Sequence, residues 1–247
     1  MQLGAVTDVG MCRKINEDNY YAMPDGDFPY AIIADGMGGH KAGEIASMMV
    51  IDVIKNQLEN KLSTEQDYVE AGEVIRHAFI NANSIIYNYA KEHYKIMGMG
   101  TTASLAMIYM GKIITAHVGD SRIYKIDGNE IKQITKDHSY VQELVSMGKI
   151  TPEEAKFHPK KNFITRAIGA EDTVKVDVNI RPYNGEKILL CSDGLINFVS
   201  DEEIKDTMLE DNTLQENVEK LVQTANSRGG KDNITIVVLE KEKQNEQ

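Results

Sequence analysis

Three aspartates end apolar, strand-like runs in this chain. Asp35 follows Ala31-Ile32-Ile33-Ala34, Asp193 follows Ile188-Leu189-Leu190-Cys191-Ser192, and Asp232 stands with Asn233 at the head of a last apolar run. A carboxylate at the end of a buried strand is costly unless something positive neutralises it. Three of them, far apart in sequence and in such similar settings, favour a fold whose strand ends share one positive object. A hard divalent cation is the simplest candidate. Taken singly, each Asp-Gly or Asp-Asn reads equally well as a turn.

A chain of 247 residues is long enough for one sizeable domain with a real core, and nothing in it forces a second. A net charge of -11 argues against a general nucleic-acid binder, whose footprint is a basic face. It leaves phosphorylated substrates open, because a metal cluster reverses the local field. Cys12 and Cys191 have no CxxC spacing, so neither a disulfide framework nor a zinc signature is present. Met1-Gln2-Leu3-Gly4 has no signal-peptide pattern, and no apolar run reaches the ~20 residues that span a bilayer. The expectation is a cytoplasmic protein, with no membrane and no nucleic-acid partner.

Periodicity predicts strands at Gln2 to Asp8 and Tyr30 to Asp35, then helices from Ala42 to Leu62 and from about Glu65 to Tyr94. The first helix is expected to bury Ile45, Met48, Met49, Val53, Ile54 and Leu58. The second is expected to bury Val69, Val74, Ala78, Ile85, Ile86 and Tyr89. Strands at Thr101 to Met110, Lys112 to Val118, Arg122 to Ile126 and Glu130 to Ile134, punctuated by Met110-Gly111 and Asp127-Gly128-Asn129, read as an antiparallel meander. The polar stretch from His138 to Asn162 is too long for a plain connection and reads as a flap, with short helical pieces at Tyr140 to Met147 and Pro152 to Lys156. Strands at Val174 to Ile180 and Glu186 to Cys191 follow, then helices at Asp201 to Leu209 and Leu214 to Ser227 and a strand at Asn233 to Leu239. Runs of strands and paired helices, without strict βαβ alternation, indicate an α+β fold. Residues 1–240 read as one domain and 241–247 as a polar tail.

In Asp35-Gly36-Met37-Gly38-Gly39-His40 the glycines permit a tight bend that exposes a carbonyl, and Asp35 offers a carboxylate able to bridge two metals. The plain alternative is a glycine turn with a solvated aspartate. Arg13-Lys14-Ile15-Asn16-Glu17-Asp18 reads either as a solvated loop or as metal-holding carboxylates beside an arginine fork for a phosphoryl group. Val118-Gly119-Asp120-Ser121-Arg122 offers another strand-end carboxylate, or a hairpin turn in which Asp120 pairs with Arg122. Gly100-Thr101-Thr102 has hydroxyls suited to bonding nearby backbone. His40, His138 and His158 are candidate proton donors or bystanders.

In order, Arg13…Asn16-Glu17-Asp18, Asp35-Gly36-Met37-Gly38-Gly39-His40, Gly100-Thr101-Thr102, Val118-Gly119-Asp120-Ser121-Arg122, Asp137-His138-Ser139, Thr165-Arg166-Ala167-Ile168-Gly169, Ser192-Asp193-Gly194-Leu195 and Lys231-Asp232-Asn233 together resemble the metal-dependent (PPM, type 2C) serine/threonine protein phosphatases in their compact bacterial form. The resemblance covers nearly the whole chain. It implies a central antiparallel β-sandwich flanked by antiparallel helix pairs, a four-layer αββα arrangement.

By motif position it also implies that Asp35, Asp193 and Asp232 hold one Mn²⁺ or Mg²⁺. Asp35, the Gly36 carbonyl, Glu17 and, through water, Asp18 would serve a second. Asp120 with Asp193 would serve a weaker third site, and Arg13 would bind the substrate phosphate. The implied activity is hydrolysis of phosphoserine and phosphothreonine by metal-activated water, in a monomer that opposes a bacterial serine/threonine kinase. One departure stands out: Met37 occupies the position of a histidine proposed as general acid in animal members, leaving protonation to a metal-bound water or to His40. A non-catalytic docking module and a hydrolase of other phosphoesters are the competing readings.

Overall fold

The structure is a computed structural model that describes residues 1–38, 42–128 and 130–242. Two antiparallel sheets face each other. One runs in the order β1 (Gln2–Asp8), β11 (Ile234–Glu240), β10 (Lys187–Cys191), β7 (Arg122–Asp127) and β8 (Glu130–Gln133). The other runs β2 (Asp18–Met23), β3 (Tyr30–Met37), β5 (Ala103–Tyr109), β6 (Lys112–Val118) and β9 (Asp177–Pro182), with the short β4 (Gly100–Thr101) beside β3.

Side-chain alternation along the central strands builds three apolar layers. On β3, Ile32 and Ala34 face the helices α1 (Ala42–Lys61) and α2 (Tyr68–Glu92), whereas Ala31 and Ile33 face the opposite sheet. On β10, Leu189 and Cys191 face α6 (Asp201–Met208) and α7 (Leu214–Ser227), whereas Ile188 and Leu190 meet Ile33 and Ala106 between the sheets. Strands buried on both faces read as continuous apolar runs, which is why these stood out in the sequence. The result is the expected α+β sandwich with a helix pair on each outer face.

The helices end where local chemistry stops them. Asp67 accepts the N–H groups of Val69 and Glu70 while Glu70 reaches back to the Asp67 N–H, a reciprocal cap contributing about 1 kcal/mol at the start of α2. Thr213 with Glu216 and Ser200 with Glu203 repeat the device on α7 and α6.

Several expectations are corrected. The buried stripe of α1 is Ala46, Ser47, Val50, Ile51, Ile54 and Leu58, and Met48 is exposed. On α2 the buried face is Ala71, Gly72, Ile75, Ala78, Phe79, Ala82 and Ile86, with Val69, Ile85 and Tyr89 exposed. Hydrophobicity favours large side chains, but close packing on a sheet selects small ones: a Cβ on Gly72 would already touch Ile180 at 3.4 Å. The meander is also broken. β5 and β6 form a hairpin, as do β7 and β8, but β6 and β7 lie in different sheets, so Gly119-Asp120-Ser121 is a crossover.

The segment from Asp18, taken as part of a charged loop, forms the edge strand β2. Two short helices, α3 (Tyr140–Ser146) and α4 (Pro152–Phe157), occupy the expected flap. A further one-turn helix, α5 (Asp193–Ile196), follows β10 without a signal in the sequence. Gly39, His40, Asn129 and residues 243–247, on which parts of the glycine motif, one turn and the polar tail fall, lie outside the described residues.

Two glycines set the spacing at the strand ends. A Cβ on Gly194 would lie 1.9 Å from the Asn233 carbonyl oxygen, and one on Gly36 would lie 2.0 Å from that of Gly43. Gly194→Ala must therefore push β10 and β11 apart at their ends. The expected cost is about 1–3 kcal/mol, read as a lower denaturation midpoint of the chelated protein; an unchanged midpoint would contradict this packing.

Candidate metal centre

The carboxylates nominated from sequence come together at one end of the sandwich. Asp18 and Asp35 are direct register partners on β2 and β3. Asp193 opens α5 immediately after β10, and Asp232 precedes β11, the neighbour of β10. Asp120 sits on the β6–β7 crossover, which carries the chain from one sheet to the other. Both sheets thus contribute, and Asp18, Asp35, Asp120, Asp193 and Asp232 come close enough for their charges to act on one another.

Hydroxyl and amide side chains fix these backbones. Thr102 Oγ1 accepts the Asp35 N–H at 2.9 Å and contacts Ser121 Oγ at 2.8 Å, linking the bridging candidate to the crossover. Thr101 Oγ1 donates to the Asp35 carbonyl at 3.0 Å. Ser192 Oγ donates to Asp18 Oδ2 at 2.7 Å and accepts the Thr235 N–H at 2.9 Å, pinning one sheet to the other. Asn233 is the centre of the first loop: its Oδ1 accepts the Glu17 N–H at 2.8 Å, and its Nδ2 donates to the carbonyls of Val9 and Ile15, each at 3.0 Å. Sequence reading placed Asn233 only as a neighbour of Asp232 and missed Ser192 and Ser121 altogether. A buried Ser or Asn flanking a strand-end Asp was the one available signal.

Arg13 Nη2 donates to Asp232 Oδ2 at 2.8 Å, with both side chains partly exposed at the rim. Arg122 does not pair with Asp120. It makes a bidentate contact with Asp137, donating to Oδ2 at 2.7 Å through Nη2, and Gln133 also donates to Asp137. Among the described residues Asp120 makes no salt bridge, although Arg122 still lowers its carboxyl slightly from a distance. His40 lies outside the described residues.

The electrostatics are those of an unneutralised cluster. Burial raises the Asp35 carboxyl well above its ordinary range, and Asp18, Asp193, Asp120 and Asp232 push it further. Burial brings Asp18 to about 7, against the relief given by Ser192 and Thr235. Asp120 rises to about 8 through burial, Asp193 and Asp137. Asp193 rises to about 6 through burial and Asp232. Burial also raises Glu17, partly offset by Arg13.

Two carboxylate oxygens in this cluster, Glu17 Oε1 and Asp18 Oδ1, are buried without a hydrogen-bond partner. Buried oxygens of that kind need a cation or a proton. A Cβ on Gly43 would stand 2.5 Å from Glu17 Oε1, so the glycine keeps that oxygen's surroundings open. Among the described residues no three His, Cys, Asp or Glu side chains already stand at metal-holding spacing. The donor set is all oxygen, and its orphaned acceptors fit a hard divalent ion such as Mg²⁺ or Mn²⁺.

The chain matches the family model described as Protein phosphatase 2C over residues 13–237. Protein phosphatase PhpP of Streptococcus pneumoniae is 41% identical over 244 residues, spanning 97% of each chain. The structure is similar to that of serine/threonine phosphatase Stp1 from Staphylococcus aureus, with a TM-score of 0.92, 37% identity and coverage of 98% of this chain and 95% of that one. It is also similar to the catalytic domain of serine threonine protein phosphatase PstP in complex with two manganese ions, with a TM-score of 0.82, 35% identity and 96% of each chain covered. The chain belongs to the protein phosphatase 2C family.

The raised carboxyls predict how metal and pH act together. Each binds its proton more tightly in the fold than in the unfolded chain, so metal-free stability falls as pH rises between about 4 and 8. Calorimetry with chelator is expected to show a lower melting temperature at about pH 8 than at about pH 5. Saturating Mn²⁺ is expected to raise it more at the higher pH. A chelated melting temperature that climbs over this range would contradict the cluster's electrostatics.

Proposed function

We propose that this member of the protein phosphatase 2C family hydrolyses phosphoserine and phosphothreonine in proteins, using divalent ions held by Asp35, Asp193, Asp232, Glu17, Asp18, Asp120 and the Gly36 carbonyl. The observation that carries this reading is the convergence of carboxylates from both sheets around buried oxygens of Glu17 and Asp18 that have no other partner. Bound Mn²⁺ or Mg²⁺ supplies charge neutralisation and acidification of water, chemistry that a phosphate monoester with a poor leaving group requires.

The assignment of ligands follows motif position and is supported by the local geometry. Asp35 stands between Asp18 on the neighbouring strand and the crossover that carries Asp120, as a bridging carboxylate must. Asp193 and Asp232 follow and precede adjacent strands, which suits two ligands of one ion. Asp120, in no salt bridge among the described residues and close enough to Asp193 for each to feel the other's charge, suits a weaker third ion shared with Asp193. Mn²⁺ and Mg²⁺ both fit an all-oxygen set, and two ions per chain is our reading of the main centre.

Arg13 binds the phosphoryl oxygens. Asp232, Glu17 and Asp35 outweigh the effect of its partial burial and hold the guanidinium charged. Its bond to Asp232 holds it, partly exposed, beside the carboxylate cluster, where it can orient a phosphoryl group. No cysteine nucleophile is needed: burial pushes the Cys191 thiol up, which suits a packing role. Met37 has no proton to give, so the leaving group takes its proton from water or from His40.

Phosphorylated proteins are the substrates, and we propose a serine/threonine kinase and its targets as the physiological set. No helix among the described residues is long and apolar enough to cross a membrane. Cys12 and Cys191 are free thiols, which supports a cytoplasmic setting. A monomeric enzyme is our reading of its assembly.

Asp193→Asn and Asp232→Asn are expected to abolish Mn²⁺-stimulated release of phosphate from phosphothreonine peptides while leaving the circular dichroism spectrum unchanged. Near-normal turnover in both would refute the assignment, and faster turnover of nucleotides than of peptides would move it to another phosphoesterase. Arg13→Ala is expected to raise KM about 10-fold or more for every phosphopeptide, because a charged bidentate contact is lost. Unchanged kinetics would remove Arg13 from the substrate site.

A further inference from the structure

Gly119 stands immediately before Asp120, and a single residue of the flap stem holds both of its backbone polar groups. The His138 N–H donates to the Gly119 carbonyl at 2.7 Å, and His138 Nδ1 accepts the Gly119 N–H at 3.0 Å. Gly119 has φ +116°, and a Cβ there would sit 2.5 Å from the Thr102 side chain, so this turn tolerates no other residue and little movement.

The imidazole of His138 is buried and lies against the His117 ring, centroids 4.7 Å apart. Its Nε2 is 3.2 Å from Asp177 Oδ2 and 2.8 Å from Arg166 Nη1. Arg166 Nη1 donates to Asp177 Oδ1 at 2.9 Å and to the Lys175 carbonyl at 3.2 Å.

A neutral imidazole has one donor and one acceptor. With the proton on Nε2, Gly119 finds its acceptor and Asp177 its donor. Arg166 Nη1 then meets a second donor at 2.8 Å but spends its two protons on Asp177 Oδ1 and the Lys175 carbonyl, so no buried amide is orphaned. With the proton on Nδ1, two donors face each other and a buried amide is orphaned. Hydrogen-bond accounting therefore selects the Nε2–H form.

The same residue carries the flap. Ser139 follows it and caps α3, Tyr140 N–H donates to the Phe163 carbonyl at 2.8 Å, and Thr165 N–H donates to the His138 carbonyl at 2.8 Å. Both stems of the flap thus meet at His138.

We propose that His138 is a positioning residue that couples the flap to Asp120: its imidazole, oriented by Asp177, clamps the Gly119 peptide and so aims the Asp120 carboxylate, while its backbone holds the flap stems together. The metal arm of this inference rests on reading Asp120 as a ligand; the clamp itself does not.

The test uses the full chain. Imidazole ¹⁵N NMR of the metal-free protein is expected to report the Nε2–H tautomer for His138; the Nδ1–H form would overturn the clamp. His138→Asn keeps an acceptor near the Nδ1 position, whereas His138→Gln moves it toward Nε2. Gly119 amide exchange is expected to stay near wild type in the Asn variant and to quicken at least about 10-fold in the Gln variant. Equal protection in both variants would overturn the proposal.

Calorimetric Mn²⁺ titration is expected to show the weakest binding event falling about 10-fold in His138→Gln and recovering in His138→Asn. Asp120→Asn serves as the reference. If it weakens that event and His138→Gln does not, the coupling is refuted. If it leaves Mn²⁺ binding intact, the ligand reading of Asp120 fails while the exchange and tautomer results still judge the clamp.

Discussion

The burial of several carboxylates close to one another is the constraint on which the strand-end cluster depends. Asp18, Asp35, Asp120 and Asp193 are each destabilised in their charged form by burial and by one another. A fold gathers such groups only if something else supplies the opposite charge or if other packing outweighs the strain. The sandwich does the second with three apolar layers, and the all-oxygen donor set invites the first.

The stability needed to hold that cluster comes from strands buried on both faces. Ile32 and Ile33 on β3, and Leu189 and Leu190 on β10, pack in opposite directions, so each strand end is anchored from two sides. Small residues then hold the ends close: Gly36 against Gly43, and Gly194 against Asn233. Precision at the cleft comes from Thr102, Ser121, Ser192 and Asn233, which join the two sheets and the first loop through short polar bonds. Catalysis of phosphate-ester hydrolysis depends on such preorganisation, because little covalent chemistry falls to the protein itself.

The architecture was largely legible because its signals are local. Apolar runs punctuated by Met110-Gly111 located a hairpin, and Leu214 to Ser227 was bounded correctly by its amphipathic period. Errors arose where distance in sequence hides proximity in space. The stripe assigned to α1 favoured Met48 over Ala46 because a sequence shows size and polarity but not how closely a sheet approaches. β2 was missed because an edge strand beginning with charged residues carries little apolar period. The pairing of Arg122 with Asp137, fifteen residues away, replaced the nearer Asp120 because β7 and the flap stem face each other only after the crossover.

The sequence alone determined the elements, the α+β class and the ordered set of acidic motifs, since periodicity, turn chemistry and residue type are properties of neighbours along the chain. Tertiary structure decided which carboxylates share a cleft, which hydroxyls hold them and which cations are committed elsewhere. Those outcomes depend on strand order and on two sheets meeting face to face. Asp18 opposite Asp35, and Ser192 bridging Asp18 to β11, are the clearest instances: contacts created by register and pairing, the bond between Ser192 and Asp18 joining residues 174 apart in the chain.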